Sequence, residues 1–420
     1  PEQHVPRAAQ PRADHPHQGS GKRGPVSVKT NPNPLSSSAP TTSEGPKPEP
    51  RMHGDELHVL VVDDSAMVRQ VMQAILGTDR RISVKAAPDP LIAWGKMQKD
   101  PPDVVITDLE MPRMDGVTFI RKIMAEMPTP VVVCSGLAAR GTELALRALE
   151  EGAVEVITKP KVGVRNFLHE SAVTLLDAVW SASHAQIARR KRPALPAAHL
   201  PLVQVMSPRL TADAILPRKS RAHSSAAHTG VIAVGASTGG TEALRVFLAA
   251  LPTDCPPVVI VQHMPEVFTR AFAERLNREC AIEVQEARDG DLLQTGRALI
   301  APGNRHMLVD RSGGELVARI IDGPLVSRHR PSVDVLFRSV ATCVGSKAVG
   351  VIMTGMGDDG AQGLYEMKEA GADTIAQDEA TSIVFGMPKS AISCGAVDIV
   401  VPLEQIASAV LNLRSRAVGK

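Results

Sequence analysis

Apolar residues along this chain fall into two stretches of the same kind, separated by polar, proline-rich sequence. From His58 to about Leu176, short β-branched and aliphatic runs alternate with segments of helical period. Val59–Val62, Ile82–Lys85, Val104–Thr107, Val131–Cys134 and Val154–Ile157 read as buried strands. Helical patterns lie near Ser65–Leu76, Pro90–Lys99, Gly116–Met127, Gly141–Glu150 and Val164–Trp180. Strands alternating with helices in this way predict a doubly wound parallel sheet.

The alternation returns at Gly230. Val231–Val234 and Val258–Val261 are buried-strand runs, and Ile282–Glu286 reads as a third strand. Arg297–Ala301, His306–Val309 and Glu315–Ile320 look like short antiparallel strands, because Pro302-Gly303-Asn304 and Ser312-Gly313-Gly314 are turn sequences. A helix at Ser332–Val344, a strand at Ala348–Met353, a helix at Ala361–Ala370 and further αβ segments follow to Leu413. The fold class expected is α/β: two doubly wound, mainly parallel-sheet domains, the second larger and carrying a small antiparallel hairpin.

The domain boundaries expected are 57–180 and 230–416. Residues 1–56 contain eleven prolines and no apolar periodicity, so they cannot bury enough surface to offset their ordering entropy and read as a disordered tail. Residues 181–229 form a basic, Pro-rich linker. Arg189-Arg190-Lys191-Arg192, Arg209, Arg218, Lys219 and Arg221 there face a single acid, Asp213. No DNA-reading module accompanies these charges, and a net charge of +2 gives no global pull toward polyanions, so a nucleic-acid partner is not expected. Five scattered cysteines without a C-x-x-C pair fit a reducing, cytoplasmic setting. No apolar run is long enough to span a membrane.

In the first domain, Asp63-Asp64 follows the first strand and Asp108 the third, so the three carboxylates share the crevice at the carboxyl edge of the sheet. They repel unless a cation joins them, and oxygen ligands in a small site favour Mg²⁺. Ser135 and Lys159 end the fourth and fifth strands and bring a hydroxyl and an ammonium to the same cleft. A carboxylate beside such cations can accept a phosphoryl group. One strand-end Asp is most simply a helix cap, but five such residues on successive strand ends are not. The stretch resembles the receiver domain of bacterial response regulators. The resemblance implies that Asp108 is the phosphorylated residue and that Asp63 and Asp64 are metal-site acids. It makes the Glu110 carbonyl a further metal contact, and Ser135 and Lys159 the phospho-switch pair. Val156 stands where many receivers carry an aromatic, so an aromatic rotamer switch is not implied.

In the second domain, Gly235-Ala236-Ser237-Thr238-Gly239 has the G-x-S-x-G spacing of a nucleophile elbow, directly after a strand. A dinucleotide fingerprint would need glycine at position 237, and a P-loop would need a Gly-Lys-Ser/Thr end. A nucleophilic serine needs a base and an orienting acid. His263, in Gln262-His263-Met264-Pro265, ends the next strand. Thr354-Gly355-Met356-Gly357-Asp358-Asp359-Gly360 ends a later one, and spacing alone leaves Asp358 and Asp359 equivalent. Amides of the glycine-rich turn Gly355–Gly357 are candidates for an oxyanion hole.

With Arg330-Pro331-Ser332-Val333-Asp334 added, these motifs in this order resemble the chemotaxis protein-glutamate methylesterases, which are also protein-glutamine glutaminases, over about 57–415. The resemblance implies Ser237 as nucleophile, His263 as base and Asp359 as orienter. It also implies Met356 as an oxyanion amide and Thr238 as a supporting residue. Asp358 stands where Asn is common and is expected to face solvent. The implied activity is hydrolysis of glutamyl methyl esters on chemoreceptors, and deamidation of their glutamines, through an acyl-enzyme and without a cofactor at the hydrolytic site. The receiver would block the site until a chemotaxis histidine kinase phosphorylates Asp108. A non-catalytic, phospho-dependent receptor-binding adaptor is the alternative class, and a DNA-binding output ranks last.

Overall fold

The computed structural model describes residues 56–136, 139–159, 165–187, 209–218 and 230–418. The tail before residue 56 lies outside the described residues. So do Arg189–Arg192, Lys219 and Arg221 of the linker.

The first domain runs β1 (Leu57–Val62), α1 (Ala66–Leu76), β2 (Ile82–Ala87), α2 (Pro90–Lys99), β3 (Val104–Thr107), α3 (Gly116–Glu126), β4 (Val131–Ser135), α4 (Ala139–Glu150), β5 (Glu155–Thr158) and α5 (Arg165–Ser183). Its sheet is parallel, with order β2-β1-β3-β4-β5. β3 and β4 are buried throughout, which explains their unbroken apolar runs. Helix starts are written locally: Ser65, Asp89 and Asp115 each cap a helix through the side chain.

The second domain runs β6 (Val231–Ala236), α6 (Gly240–Ala249), β7 (Val258–Gln262), α7 (Glu266–Glu279), β8 (Glu283–Glu286), β9 (Arg297–Ile300), β10 (His306–Ser312), β11 (Glu315–Ile321), α8 (Val333–Cys343), β12 (Ala348–Ile352), α9 (Ala361–Glu369), β13 (Asp373–Gln377), α10 (Met387–Ser393), β14 (Ile399–Val401) and α11 (Leu403–Val418). Seven parallel strands take the order β14-β13-β12-β6-β7-β9-β8. Among the described strands, β10 and β11 alone form an antiparallel pair. The sequence placed β9 with that hairpin. Instead it lies in the main sheet between β7 and β8, where Ala298, Leu299 and Ile300 are buried between two layers. A short apolar run reads the same in either setting, and the turn after it belongs to the connection, not to a β-hairpin.

The linker also departs from a solvated strap over residues 209–218. Asp213 accepts from Arg338 Nη1 at 2.8 Å, and the buried Arg338 also holds Glu366 Oε1 through Nη2 at 2.8 Å. Arg209 grips Asp358 with both guanidinium nitrogens, one at 2.8 Å. Asp358 is therefore half-exposed and paired, not simply solvent-facing.

The two domains meet along α4, β5 and α5 of the first, the elements that follow Ser135 or flank Lys159. Phe268 packs into the apolar cluster that holds Val156, and Leu146 joins the cluster around Leu244 and Phe272. Arg275 pairs with Glu150 at 2.8 Å. Among the described residues, no helix is long and apolar enough to cross a membrane.

Candidate active site

β12, β6 and β7 are neighbours in the second sheet, and their carboxyl ends bring three sequence-predicted residues to one crevice. Ser237 follows β6, and its amide donates to the Thr354 carbonyl at 3.0 Å. The turn that carries it depends on two glycines. A Cβ on Gly235 would sit 2.2 Å from Val333 Cγ1, so the start of α8 approaches the strand only because that atom is missing. Gly239 caps α6 with φ 76, a left-handed conformation that favours glycine. Ser237 itself is not among the positive-φ residues; the left-handed residue of this turn is Gly239, two positions on.

His263 follows β7. Its Nε2 and Asp359 Oδ2 are 2.8 Å apart, while its Nδ1 is buried without a hydrogen-bond partner. A carboxylate only accepts, so the neutral ring carries its proton on Nε2 and leaves Nδ1 as the basic lone pair. Among the described residues, no hydrogen bond joins Ser237 to His263; both line the same cavity of about 470 Å³.

Asp359 is buried in a cradle of donors. Oδ1 accepts from Ser332 Oγ at 2.8 Å and the Asp334 amide at 3.1 Å, and Oδ2 accepts from the Val333 amide at 2.7 Å. These are donors of the first turn of α8, so the carboxylate sits at a helix N-terminus. Burial pushes its pKa up, but the His263 bond and charge and the α8 amides outweigh it and hold the group below the usual carboxylate range. Asp334 answers from the other side. Its Oδ1 accepts from Gly360 N at 3.0 Å and Gly363 N at 2.8 Å at the start of α9. Each acid thus caps the other's helix. Burial, then the nearby Asp359 charge, push the Asp334 carboxyl well up.

The Thr354–Gly355 turn lies against Ser237: a Cβ on Gly355 would meet Ser237 Cβ at 2.7 Å. The Met356 amide next in sequence donates to no acceptor among the described residues. Among the described residues, the Thr238 hydroxyl makes no hydrogen bond to His263. It donates to Glu155 Oε2 at 2.7 Å and lies 2.5 Å from Ser181 Oγ, both on the first domain.

Sequence reasoning missed His329, whose ring stacks on His263 with centroids 3.7 Å apart and planes within 4°. His263, His329 and Asp359 each bring a ligand atom within 4.8 Å of the others. Imidazole lone pairs lie in the ring plane, and two parallel planes do not meet at one ion, so this cluster is not shaped for a metal.

At the carboxyl edge of the first sheet, Asp63, Asp64 and Asp108 bring their oxygens within 4.8 Å of one another. Lys159 Nζ lies 2.7 Å from Asp108 Oδ2 and 2.9 Å from Asp63 Oδ2. Burial lowers the lysine pKa, but bonds to both carboxylates overcome it and raise it to about 12. Burial raises the Asp63 pKa. The convergent, oxygen-only donor set fits a small hard cation. Ser135 Oγ turns to the Gly141 carbonyl at 3.3 Å. Glu110, two residues after Asp108 in the sequence, is exposed.

Comparison with known proteins agrees with this division. Residues 59–167 match the response regulator receiver domain and residues 232–410 match the CheB methylesterase model. A receiver joined to a methylesterase domain defines a response-regulator hydrolase. The chain is 59% identical over 358 residues to protein-glutamate methylesterase/protein-glutamine glutaminase 5 of Anaeromyxobacter dehalogenans, covering 85% of this chain and 96% of that protein. It is 58% identical over 359 residues to protein-glutamate methylesterase/protein-glutamine glutaminase 3 of Geobacter metallireducens, covering 85% and 99%. It is also similar to the crystal structure of the Thermotoga maritima CheB methylesterase catalytic domain, with 37% identity, a TM-score of 0.44, and coverage of 44% of this chain and all of that one. The chain belongs to the protein-glutamate methylesterase/protein-glutamine glutaminase family.

Proposed function

We propose that this protein hydrolyses glutamyl methyl esters on chemoreceptors, and deamidates their glutamines, by acyl transfer through Ser237, His263 and Asp359. The observation that carries the proposal is the buried imidazole of His263: one edge is tied to Asp359, and the other bears an unpartnered basic nitrogen in the cavity that Ser237 lines. His263 Nδ1 takes the Ser237 proton as Oγ attacks the ester carbonyl. The Met356 amide, free of other acceptors, donates to the developing oxyanion. The tetrahedral intermediate collapses, its C–O bond breaks, and methanol leaves with the proton from His263. Water, deprotonated by the same nitrogen, then hydrolyses the acyl-enzyme to glutamate and returns Ser237. With glutamine the C–N bond breaks and ammonia leaves. Asp359 stays ionised and stabilises the transient imidazolium.

The receiver is the switch in this reading. Glu155, Thr158 and Asp177 line the same cavity as Ser237 and His263, which supports a closed resting state in which a receptor helix cannot reach the serine. Asp108 accepts a phosphoryl group from a chemotaxis histidine kinase. Asp63, Asp64, Asp108 and the Glu110 carbonyl would hold Mg²⁺, which supplies charge neutralisation there. Lys159 holds the Asp108 carboxylate in place, and Ser135 offers its hydroxyl to the new phosphoryl oxygens. Both residues adjoin elements packed on the second domain, so a change at Asp108 bears on the closed contact. In this reading the enzyme is cytoplasmic, its macromolecular partners are the receptor and the kinase, and neither a nucleic-acid partner nor membrane insertion is involved.

Rapid quenching of the phosphodonor-activated protein with a methylated receptor fragment, followed by peptide mass analysis, tests the mechanism. The proposal expects a transient acyl adduct on Ser237; an adduct on another residue, or methanol release with none, would count against it.

A further inference from the structure

His329 takes no step in the proposed reaction, yet the fold goes to unusual lengths to keep it against His263. It sits on the connection between β11 and α8. Ser327 and Arg328 just before it have φ values of 50 and 70, two consecutive left-handed residues that are not glycine. Such conformations persist only where the surroundings hold them. Here the Ser327 amide donates to the Leu210 carbonyl at 2.9 Å and the Ser327 hydroxyl to Asp334 Oδ2 at 3.2 Å. Val326 and His329 exchange backbone hydrogen bonds at 3.0 and 2.8 Å. His329 Nδ1 lies 2.8 Å from the Ser327 carbonyl oxygen and donates to it. Burial, then the charge of a protonated His263, lower the His329 pKa to about 3, which favours the neutral ring.

One hydrogen bond to Asp359 fixes one edge of the His263 ring but not its plane, because the terminal torsion of histidine is broad. A parallel ring 3.7 Å away fixes the plane. A neutral π face also suits a neighbour that becomes a cation during the reaction, whereas a charged neighbour would oppose it.

We propose that His329 is a positioning residue for acyl transfer: an aromatic plate that holds the plane of His263 and shields the imidazolium formed when Ser237 gives up its proton. The proposal rests on His263 being the base. It makes the flat face, not the imidazole nitrogens of His329, the working feature.

The test uses the full chain, activated with acetyl phosphate, and methanol release from a methylated receptor fragment. His329→Ala is expected to lower kcat about 10- to 100-fold through misplacement of the base, with KM within about twofold of wild type. His329→Phe keeps the flat face and is expected within about threefold of wild-type kcat. If the alanine variant melts too early to assay, His329→Leu replaces it, matching bulk without a π face, and is expected to be impaired where Phe is not. Wild-type kcat in the Ala or Leu variant, or a Phe variant as impaired as either, would overturn the proposal. Ser237→Ala and His263→Ala run alongside: activity surviving in those would bring down the acyl-transfer reading itself, whatever His329 does.

Discussion

The Thr238 hydroxyl, one residue beyond Ser237, donates to the Glu155 carboxylate of the receiver at 2.7 Å. Burial pushes the Glu155 pKa up to about 7, although the Thr238 bond pulls it down. In the open state proposed above, Glu155 would regain solvent and its ordinary pKa. A raised value in the closed state means that closure is fully favoured below the ordinary value and loses strength as pH climbs toward 7. Asp177, likewise raised by burial, adds in the same direction. Glu155→Gln removes the titration while keeping an acceptor for Thr238. The ratio of variant to wild-type basal methanol release, without phosphodonor, is therefore expected to fall below one as pH rises from 5 to 8. A flat ratio would show that this contact does not set closure.

Asp108 and Lys159 form a short ion pair, at 2.7 Å, in the pocket proposed to accept the phosphoryl group. Asp108→Asn is expected to abolish labelling by a phosphodonor and the accompanying stimulation, while leaving basal hydrolysis measurable. Chelation with EDTA should likewise abolish labelling of wild type, because Lys159 alone spans Asp63 and Asp108 and the charge of an incoming phosphoryl group needs a further cation to neutralise it. It should leave hydrolysis by Glu155→Ala, a variant expected to be open, unchanged. Phosphate-affinity electrophoresis alongside the methanol assay reads both; loss of hydrolysis in EDTA would place a metal in the second site.

Asp334 and Asp359 are adjacent buried acids, and only Asp359 has a basic partner in His263. The folded pKa of Asp334 is raised above its ordinary 3.8 by burial and by Asp359. Its protonated form is thus favoured in the folded state, and stability is lost as pH rises from the ordinary value through the raised one. Asp334→Asn keeps an oxygen for the Gly360 and Gly363 amides without the charge. Its melting temperature is expected to exceed that of wild type at pH 8, by an amount that shrinks toward pH 5. Equal or lower stability at pH 8 would mean that the Asp334 charge is better compensated than its surroundings indicate.

Much of the architecture is legible in the sequence because parallel strands buried on both faces are written as unbroken apolar runs, as in Val131–Cys134 and Val258–Val261. Ser237, His263 and Asp359 are traceable for a related reason: each lies shortly after such a run, and parallel strands bring their carboxyl ends together. The misreadings concern partners distant in sequence. β9 pairs with strands on either side, which a four-residue apolar run does not encode. Asp358 meets Arg209 across 149 positions, and Arg338 meets Asp213 across 125, with no local signal for either. Arg330-Pro331-Ser332-Val333-Asp334 was visible as a motif, but its work, the exchange of caps between α8 and α9, exists only in three dimensions. His329 was hidden among thirteen histidines, because nothing in its sequence context points to the ring it covers.

The most direct measurement is methanol release from a methylated chemoreceptor fragment by wild type and Ser237→Ala, each with and without acetyl phosphate. Removal of a nucleophile of this kind typically costs about four or more orders of magnitude in turnover. The account predicts release by wild type, stimulated by acetyl phosphate, and release at or near background for the variant in both conditions. Release by Ser237→Ala at the wild-type rate would contradict it.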